Sequence, residues 1–255
     1  MQFFYGKENP KKEEEPSNDI NQELLAELEN IEKNFNNIFK NTLDYQNNRI
    51  SLNGITKVES NNDLIFTLYK KEEVVDNKYS MKIDIPYINI SNFTVEKINK
   101  EIDSIFAEKA RDIILNATNN TIYNVDYMSY VNSNILSLVI KSTLKEGNNP
   151  QRVIIQTYNY NLSTNEPINL QQIMEIKGLN TQNVENRIQD KIKKANEEAN
   201  KLKNLGYNVY TRDIGNDMYK IDNTNIYFIG KDNHLYILYP YGNNNFTSET
   251  DVIVF

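Results

Sequence analysis

The chain contains no cysteine and a single histidine, His234, in 255 residues. Without thiols there is no disulfide, no thiol nucleophile and no cysteine-ligated zinc. One imidazole excludes a multi-histidine metal centre, and any Ser-His-Asp site would have to use His234. No G-x-S-x-G elbow accompanies it, and the run from Gly230 to Leu235 reads as a turn entering a strand. Glycine is scarce, at eight residues, and neither a P-loop nor a G-x-G-x-x-G fingerprint occurs. Asp213 and Asp217 flank Gly215 without the spacing or closing glutamate of an EF-hand. No metal and no cofactor is therefore expected. Apolar runs are short, and none approaches the roughly 18 residues of a membrane-spanning helix. The start, Met1 to Pro10, has neither the basic opening nor the apolar stretch of a signal peptide. The chain is then either cytoplasmic or begins after a removed anchor.

What is present is acidic, aromatic and rich in amides. The formal charge is −7, which disfavours nucleic acid and permits a basic partner, because opposite fields speed encounter. Tyrosine is abundant, at 17 residues, while apolar residues make up 39%. Much of the core must be amphipathic aromatic, with hydroxyls that need partners where they are buried.

Residues 1–19 read as a charged, proline-bounded, disordered tether. Residues 20–48 hold an expected N-terminal helix, Ile20 to Leu43, with Leu24, Leu28, Ile31, Phe35 and Ile38 on one stripe. That helix either docks on the body or stands free as a stalk. Residues 49–145 and 146–255 read as two α+β subdomains. In the first, strands are expected at Ile50–Val58, Leu64–Tyr69, Tyr79–Ile90, Thr121–Val131 and Ile135–Leu144. Pro86 suggests an edge for the third of these. A core helix, Val95–Asn116, carries Ile98, Ile102, Phe106, Ala110 and Ile113 on one face, with Asn92 or Thr94 as its cap. The second subdomain is expected to hold a strand at Arg152–Leu162, a short helix at Leu170–Ile176 and a long helix at Thr181–Leu205. Gly206 closes that long helix, and strands at Met218–Ile221, Ile226–Ile229, Leu235–Tyr239 and Val252–Phe255 finish the chain. Short loops between neighbouring strands predict an α+β fold: largely antiparallel sheets packed against two long helices, preceded by an N-terminal amphipathic helix.

Two loops stand out as candidate binding elements. Tyr239, Pro240, Tyr241, Asn243 and Phe246 combine rigid aromatic anchors with adaptable amides, a paratope-like composition. It equally describes an ordinary turn in a chain rich in tyrosine and asparagine. Asn148 and Asn149 lie in the turn cluster between the Ile135 and Arg152 strands. No catalytic residue is indicated, although a pair of carboxylates across a cleft would suffice for a glycosidase.

Three stretches carry a family resemblance: Ser133 to Leu138, Tyr158 to Leu170, and Tyr227 to Tyr241. In this order the region from Ile50 onward resembles the extracytoplasmic domain of RsiV-type anti-sigma factors. The same domain accompanies PdaC-type peptidoglycan deacetylases and many uncharacterised Gram-positive proteins. The resemblance implies a non-enzymatic extracytoplasmic sensor whose ligand is lysozyme or another basic cell-wall-directed protein, tied to the membrane only through an anchor ahead of Met1. Two loops depart from the family pattern, at Lys145–Arg152, which has no histidine, and after Tyr241, where a polar run replaces an apolar one. Both are loops where the family would contact its ligand. A peptidoglycan-binding module and a carboxylate-dependent cell-wall hydrolase are the alternatives.

Overall fold

The computed structural model describes residues 18–35, 49–52, 55–58 and 63–255. All but the end of the expected tether, and the reach of the first helix beyond Phe35, lie outside the described residues. Helix α1 (Asn18–Lys33) comes first. Strands β1 (Arg49–Leu52) and β2 (Ile55–Val58) follow, then β3 (Ile65–Val75) and β4 (Tyr79–Ile88). The expected core helix is present as α2 (Phe93–Ile102), a π-helical turn (Asp103–Ala107) and α3 (Glu108–Asn116). After it come β5 (Thr121–Asn132), β6 (Ile135–Lys145), β7 (Arg152–Asn161) and the two-residue β8 (Glu166–Pro167). Helices α4 (Leu170–Lys177) and α5 (Thr181–Asn204) lead to β9 (Tyr227–Ile229), β10 (Leu235–Asn243) and β11 (Phe246–Val254).

The class is α+β. One sheet holds eight strands in sequence order, β1 to β8, and a second holds three in the order β11-β10-β9. Among the described residues every ladder is antiparallel except β4·β5. A parallel pair needs a crossover, and α2–α3 supplies it. That helix buries Val95, Ile102, Phe106, Ala110 and Ile113 against Met81, Ile83, Tyr123, Val125, Leu138 and Ile140 on one face of the large sheet. On the other face, Met128, Val139 and Ile155 pack against Phe228, Tyr236, Leu238 and Val254 of the small sheet. The far side of the small sheet, Leu235, Ile237, Tyr239 and Ile253, is covered by Ile173 and Met174 of α4 and Val184, Ile188 and Ile192 of α5. The order of layers is helix, sheet, sheet, helix, and each layer follows from a strand period of two or a helical stripe.

Local departures from the sequence reading have local causes. Strand β4 lies inside the sheet, not at its edge. Pro86 is tolerated because it faces Thr67 at the register shift between Thr67 and Tyr69, where a ladder N–H is dispensable. The expected strand at Met218–Ile221 is instead two 3-10 turns, with the Asn216 side chain accepting from the Met218 N–H at 2.9 Å. Asparagine offers the backbone such local bonds in competition with a ladder. Helix α5 does end as expected: Gly206 sits at φ 88° and the Tyr207 N–H returns to the Leu202 carbonyl at 3.1 Å.

The small sheet leaves one edge, β9, beside the face of the large one. There the polar side chains of β6 and β7 stand in for a neighbouring strand. Thr157 accepts from the Tyr227 N–H at 3.1 Å, Asn159 donates to the Tyr227 carbonyl at 2.8 Å, and Ser137 accepts from the Ile229 N–H at 3.1 Å. Ser137 and Asn159 also bond to each other at 2.7 Å. Thr157 and Asn159 in the polar run of β7 therefore serve the fold, because they satisfy an edge that would otherwise be buried unpaired.

Helix α1 is docked at the other edge, beside β11. Leu28 and Phe35 are buried, and Phe35 lies 6.3 Å from the Phe228 ring and 6.2 Å from that of Tyr236. Glu32 accepts from the Val254 N–H at 3.1 Å and from Arg187 at 2.9 Å, and pairs with Lys191. Leu24 and Leu25, at 47% and 43% exposure, stay outside this contact.

Candidate functional site

The expected loop from Pro240 to Phe246 is the tip of a hairpin. Strand β10 continues through Pro240 and Tyr241 to Asn243, and β11 begins at Phe246. Pairing runs Tyr239↔Asp251, Pro240↔Thr250, Tyr241↔Glu249 and Asn243↔Phe246, with a shift between Tyr241 and Asn243. Gly242 makes the shift possible. Its φ is +137°, and a Cβ there would meet the Ser248 Cα at 2.7 Å, so no larger residue fits without moving the tip.

Facing residues of a ladder share a side of the sheet, which sorts the tip. Leu235, Ile237, Tyr239 and Tyr241 lie on the side that faces α5. Tyr239 is 3% exposed, with its hydroxyl 2.7 Å from that of Thr224 and its ring 5.1 Å from that of Tyr219. It is therefore a core residue beneath the tip, and the expectation that it makes surface contact is corrected: at this point both faces of β10 are covered, one by α4 and α5 and the other by the large sheet. Tyr241, one step on, leaves the core and is half-buried. Here α5 changes character too, its stripe passing from Ile188 and Ile192 to Ala195, Ala199 and a half-exposed Leu202. Small side chains opposite the end of the sheet leave a cleft of about 520 Å³, lined by Ala199, Leu202, Tyr210, Tyr241, Phe246 and their neighbours.

The aromatic groups in this cleft are fixed in place. Tyr210 stacks on Tyr241 with centroids 5.2 Å apart and meets Phe246 edge-on at 5.9 Å. Arg212 lies over the Tyr241 ring, 4.1 Å from its centroid, and grips Asp251 with two bonds of 2.9 and 2.8 Å. Burial works against the Arg212 charge, but the Asp251 bond and charge outweigh it and hold the guanidinium above its usual pKa. The Tyr241 hydroxyl donates to Glu249 at 2.6 Å. Burial, and then that bond, push it well above the ordinary tyrosine value. Sequence reading misses Tyr210 and Arg212. They sit two apart in a segment without regular structure, and only the fold brings them to the hairpin.

The second expected loop arrives at the same place from the large sheet. Asn148 and Asn149 lie in the β6–β7 turn, with the Asn149 N–H bonded to the Glu146 carbonyl at 3.1 Å. The Ser248 N–H of β11 donates to the Gln151 carbonyl at 2.8 Å, which ties the hairpin to the start of β7. Asn149 and Asn244 then line one smaller cleft of about 350 Å³, together with Leu144, Glu146, Pro150 and Arg152. Asn148 and Asn243 are exposed beside it. The hairpin tip thus divides two clefts, one aromatic and one amide-lined.

His234 stands at the opposite end of β10, in the turn from β9, where its Nδ1 lies 3.2 Å from the Asp232 carboxylate. Among the described residues no cluster of three or more acidic, histidine or cysteine side chains could hold a metal, and no helix is long and apolar enough to cross a membrane.

No protein-family model matches the sequence, and no curated protein matches it. The chain does have structural neighbours. One is the crystal structure of a DUF3298 family protein from Pseudomonas aeruginosa PAO1, with a TM-score of 0.40 and 10% identity, covering 72% of this chain and 85% of that one. Another is a member of the same family from Bacteroides fragilis NCTC 9343, with a TM-score of 0.33 and 14% identity, covering 68% of this chain and 80% of that one.

Proposed function

We propose that this chain is a non-enzymatic, extracytoplasmic binding domain that captures a basic protein directed at the cell wall, with lysozyme as the type ligand. The observation that carries the reading is the convergence at one end of the molecule of two separate loops, through Asn149 and Asn244, beside a prestacked aromatic group. Rigid aromatic anchors flanked by amides bind proteins at low entropic cost. The charge of −7 adds a field that draws a basic partner to the surface and speeds encounter. The extracytoplasmic placement, with any membrane attachment through an anchor ahead of this sequence, comes from the resemblance to RsiV-type sensor domains.

The amide-lined cleft favours a second reading, a module that holds peptidoglycan. Asn149, Asn244, Glu146 and Arg152 line it, donors and acceptors suited to sugar hydroxyls and acetamido groups. Calorimetric titration with lysozyme tests the first reading, and sedimentation with insoluble cell wall tests the second. Heat from lysozyme with no wall binding supports protein capture. Wall binding with no lysozyme heat transfers the function to glycan.

A further inference from the structure

We propose that the aromatic cleft between α5 and the β10–β11 hairpin seats a cationic side chain, an arginine or lysine presented by the partner protein, between the Tyr210 ring and the carboxylates of Glu198 and Glu249. This deepens the protein-capture reading and rests on it for the identity of the partner.

The cleft carries charge as well as rings. Its charged lining residues are Arg212, Glu198 and Glu249. Arg212 is already matched by Asp251, whose side chain is 12% exposed against 9% for the arginine. Glu249 spends one oxygen on the Tyr241 hydroxyl, and among the described residues no ion pair engages Glu198 or Glu249. Lys194 and Lys201 sit about one turn either side of Glu198 on α5, but neither lines the cleft. The lining is therefore negative overall, and an anionic ligand would be repelled from it. A neutral ligand could use the rings but would leave two carboxylates unmatched. A guanidinium or ammonium group uses both, since a ring face attracts a cation and a carboxylate gives it a charge-assisted bond.

The molecule already contains one such arrangement. Arg212 lies on Tyr241 and is held by Asp251, so one side of this aromatic group recognises an arginine from within the chain. Tyr210 is the next ring outward, partly exposed and steadied by Phe246. An incoming cation over Tyr210, beside Glu198 and Glu249, would repeat the same chemistry between molecules.

The test has two arms. In the first, the isotope-labelled chain is titrated by NMR with acetyl-Gly-Arg-Gly-amide and, separately, with its glutamine counterpart. Shifts confined to the cleft around Glu198, Tyr210, Phe246 and Glu249, given by the arginine peptide only and lost in the E198Q/E249Q double variant, are expected. No shifts, or shifts spread evenly over the acidic surface, overturn the proposal whatever lysozyme does. In the second, lysozyme is titrated into the double variant, in which a glutamine amide oxygen at 249 can still accept from the Tyr241 hydroxyl, with the thermal midpoint measured alongside as the check on the fold. Binding weaker by about 10-fold is expected for two lost charge contacts. Unchanged binding in the variant removes the cleft from the interface. If wild-type chain gives no lysozyme heat while the peptide shifts persist, the cation site stands and the choice of lysozyme as ligand falls.

Discussion

The Arg212 guanidinium lies 4.1 Å from the centroid of the Tyr241 ring and is anchored by Asp251 through two bonds of 2.9 and 2.8 Å. This relationship joins the stability of the molecule to the shape of its candidate site. The planar fork of arginine makes both contacts at once, and lysine cannot. Arg212→Ala would leave the Asp251 carboxylate buried without a partner. The expected loss is about 3 kcal/mol of unfolding free energy, read from the urea midpoint. Arg212→Lys keeps the charge and is expected to fall between, with Tyr210 and Tyr241 more mobile in their NMR relaxation.

Asn159 should be the most sensitive polar position on β7. Its amide donates to the Tyr227 carbonyl and its oxygen accepts from Ser137. Asn159→Asp keeps the shape and the acceptor but cannot donate. A buried carbonyl then loses its partner, at a cost of about 1–3 kcal/mol. Equal denaturation midpoints for the wild type and this variant would show that β9 does not depend on the large sheet for its edge.

Docking of α1 rests on Glu32 and Phe35. Phe35→Ala removes a ring buried against Phe228 and Tyr236, at an expected cost of about 3 kcal/mol if the helix stays in place. The helix can instead leave, and limited proteolysis tells the outcomes apart. Cleavage within Asn18–Lys33 should appear in Phe35→Ala and in Glu32→Ala at protease levels that spare the wild type. Equal resistance in all three would place the anchoring of α1 elsewhere.

Alkali should unfold this protein in a defined window. Burial pushes both Tyr219 and Tyr239 up to about 12 from 10.0. The unfolded chain ionises its tyrosines near 10, so the folded state holds these protons longer. Their contribution to stability is fully present below about pH 10 and is lost as pH climbs towards about 12. Urea midpoints should fall between about pH 10 and about pH 12, with part of the phenolate absorbance appearing only on unfolding. A flat midpoint over that range would contradict the burial of this pair.

Much of the scaffold could be read from periodicity. The β4 alternation from Tyr79 to Ile85, the α2–α3 face and the α5 stripe all rest on patterns several turns or residue pairs long. The Asn53-Gly54 dipeptide, a strong hairpin signal, lies between β1 and β2, which alternation alone joins as one strand. What stayed hidden was set by long-range contact. Pro86 looks like an edge residue until Thr67 is seen opposite it. Asn159 and Ser137 look like surface residues until β9 is laid beside them.

The candidate site divides in the same way. Tyr241, Phe246 and Asn149 could be chosen on composition. Tyr239 has identical chemistry and lies on the same side of β10, but it stands one step nearer the core, among Tyr219, Ile188 and Ile192, where Tyr241 meets the small side chains at the end of α5. Tyr210 and Arg212 carry no periodic signal, because their segment is irregular and is ordered by the hairpin it packs on.

The most direct test is calorimetric titration of the chain with lysozyme at about 0.15 M salt, where long-range attraction of an acidic protein for any cation is screened. A second basic protein serves as the control, and Tyr241→Ala as the site variant. The account predicts a saturable complex with lysozyme alone, weakened in Tyr241→Ala. No heat with lysozyme, equal heat with the control, or unchanged affinity in Tyr241→Ala would contradict it.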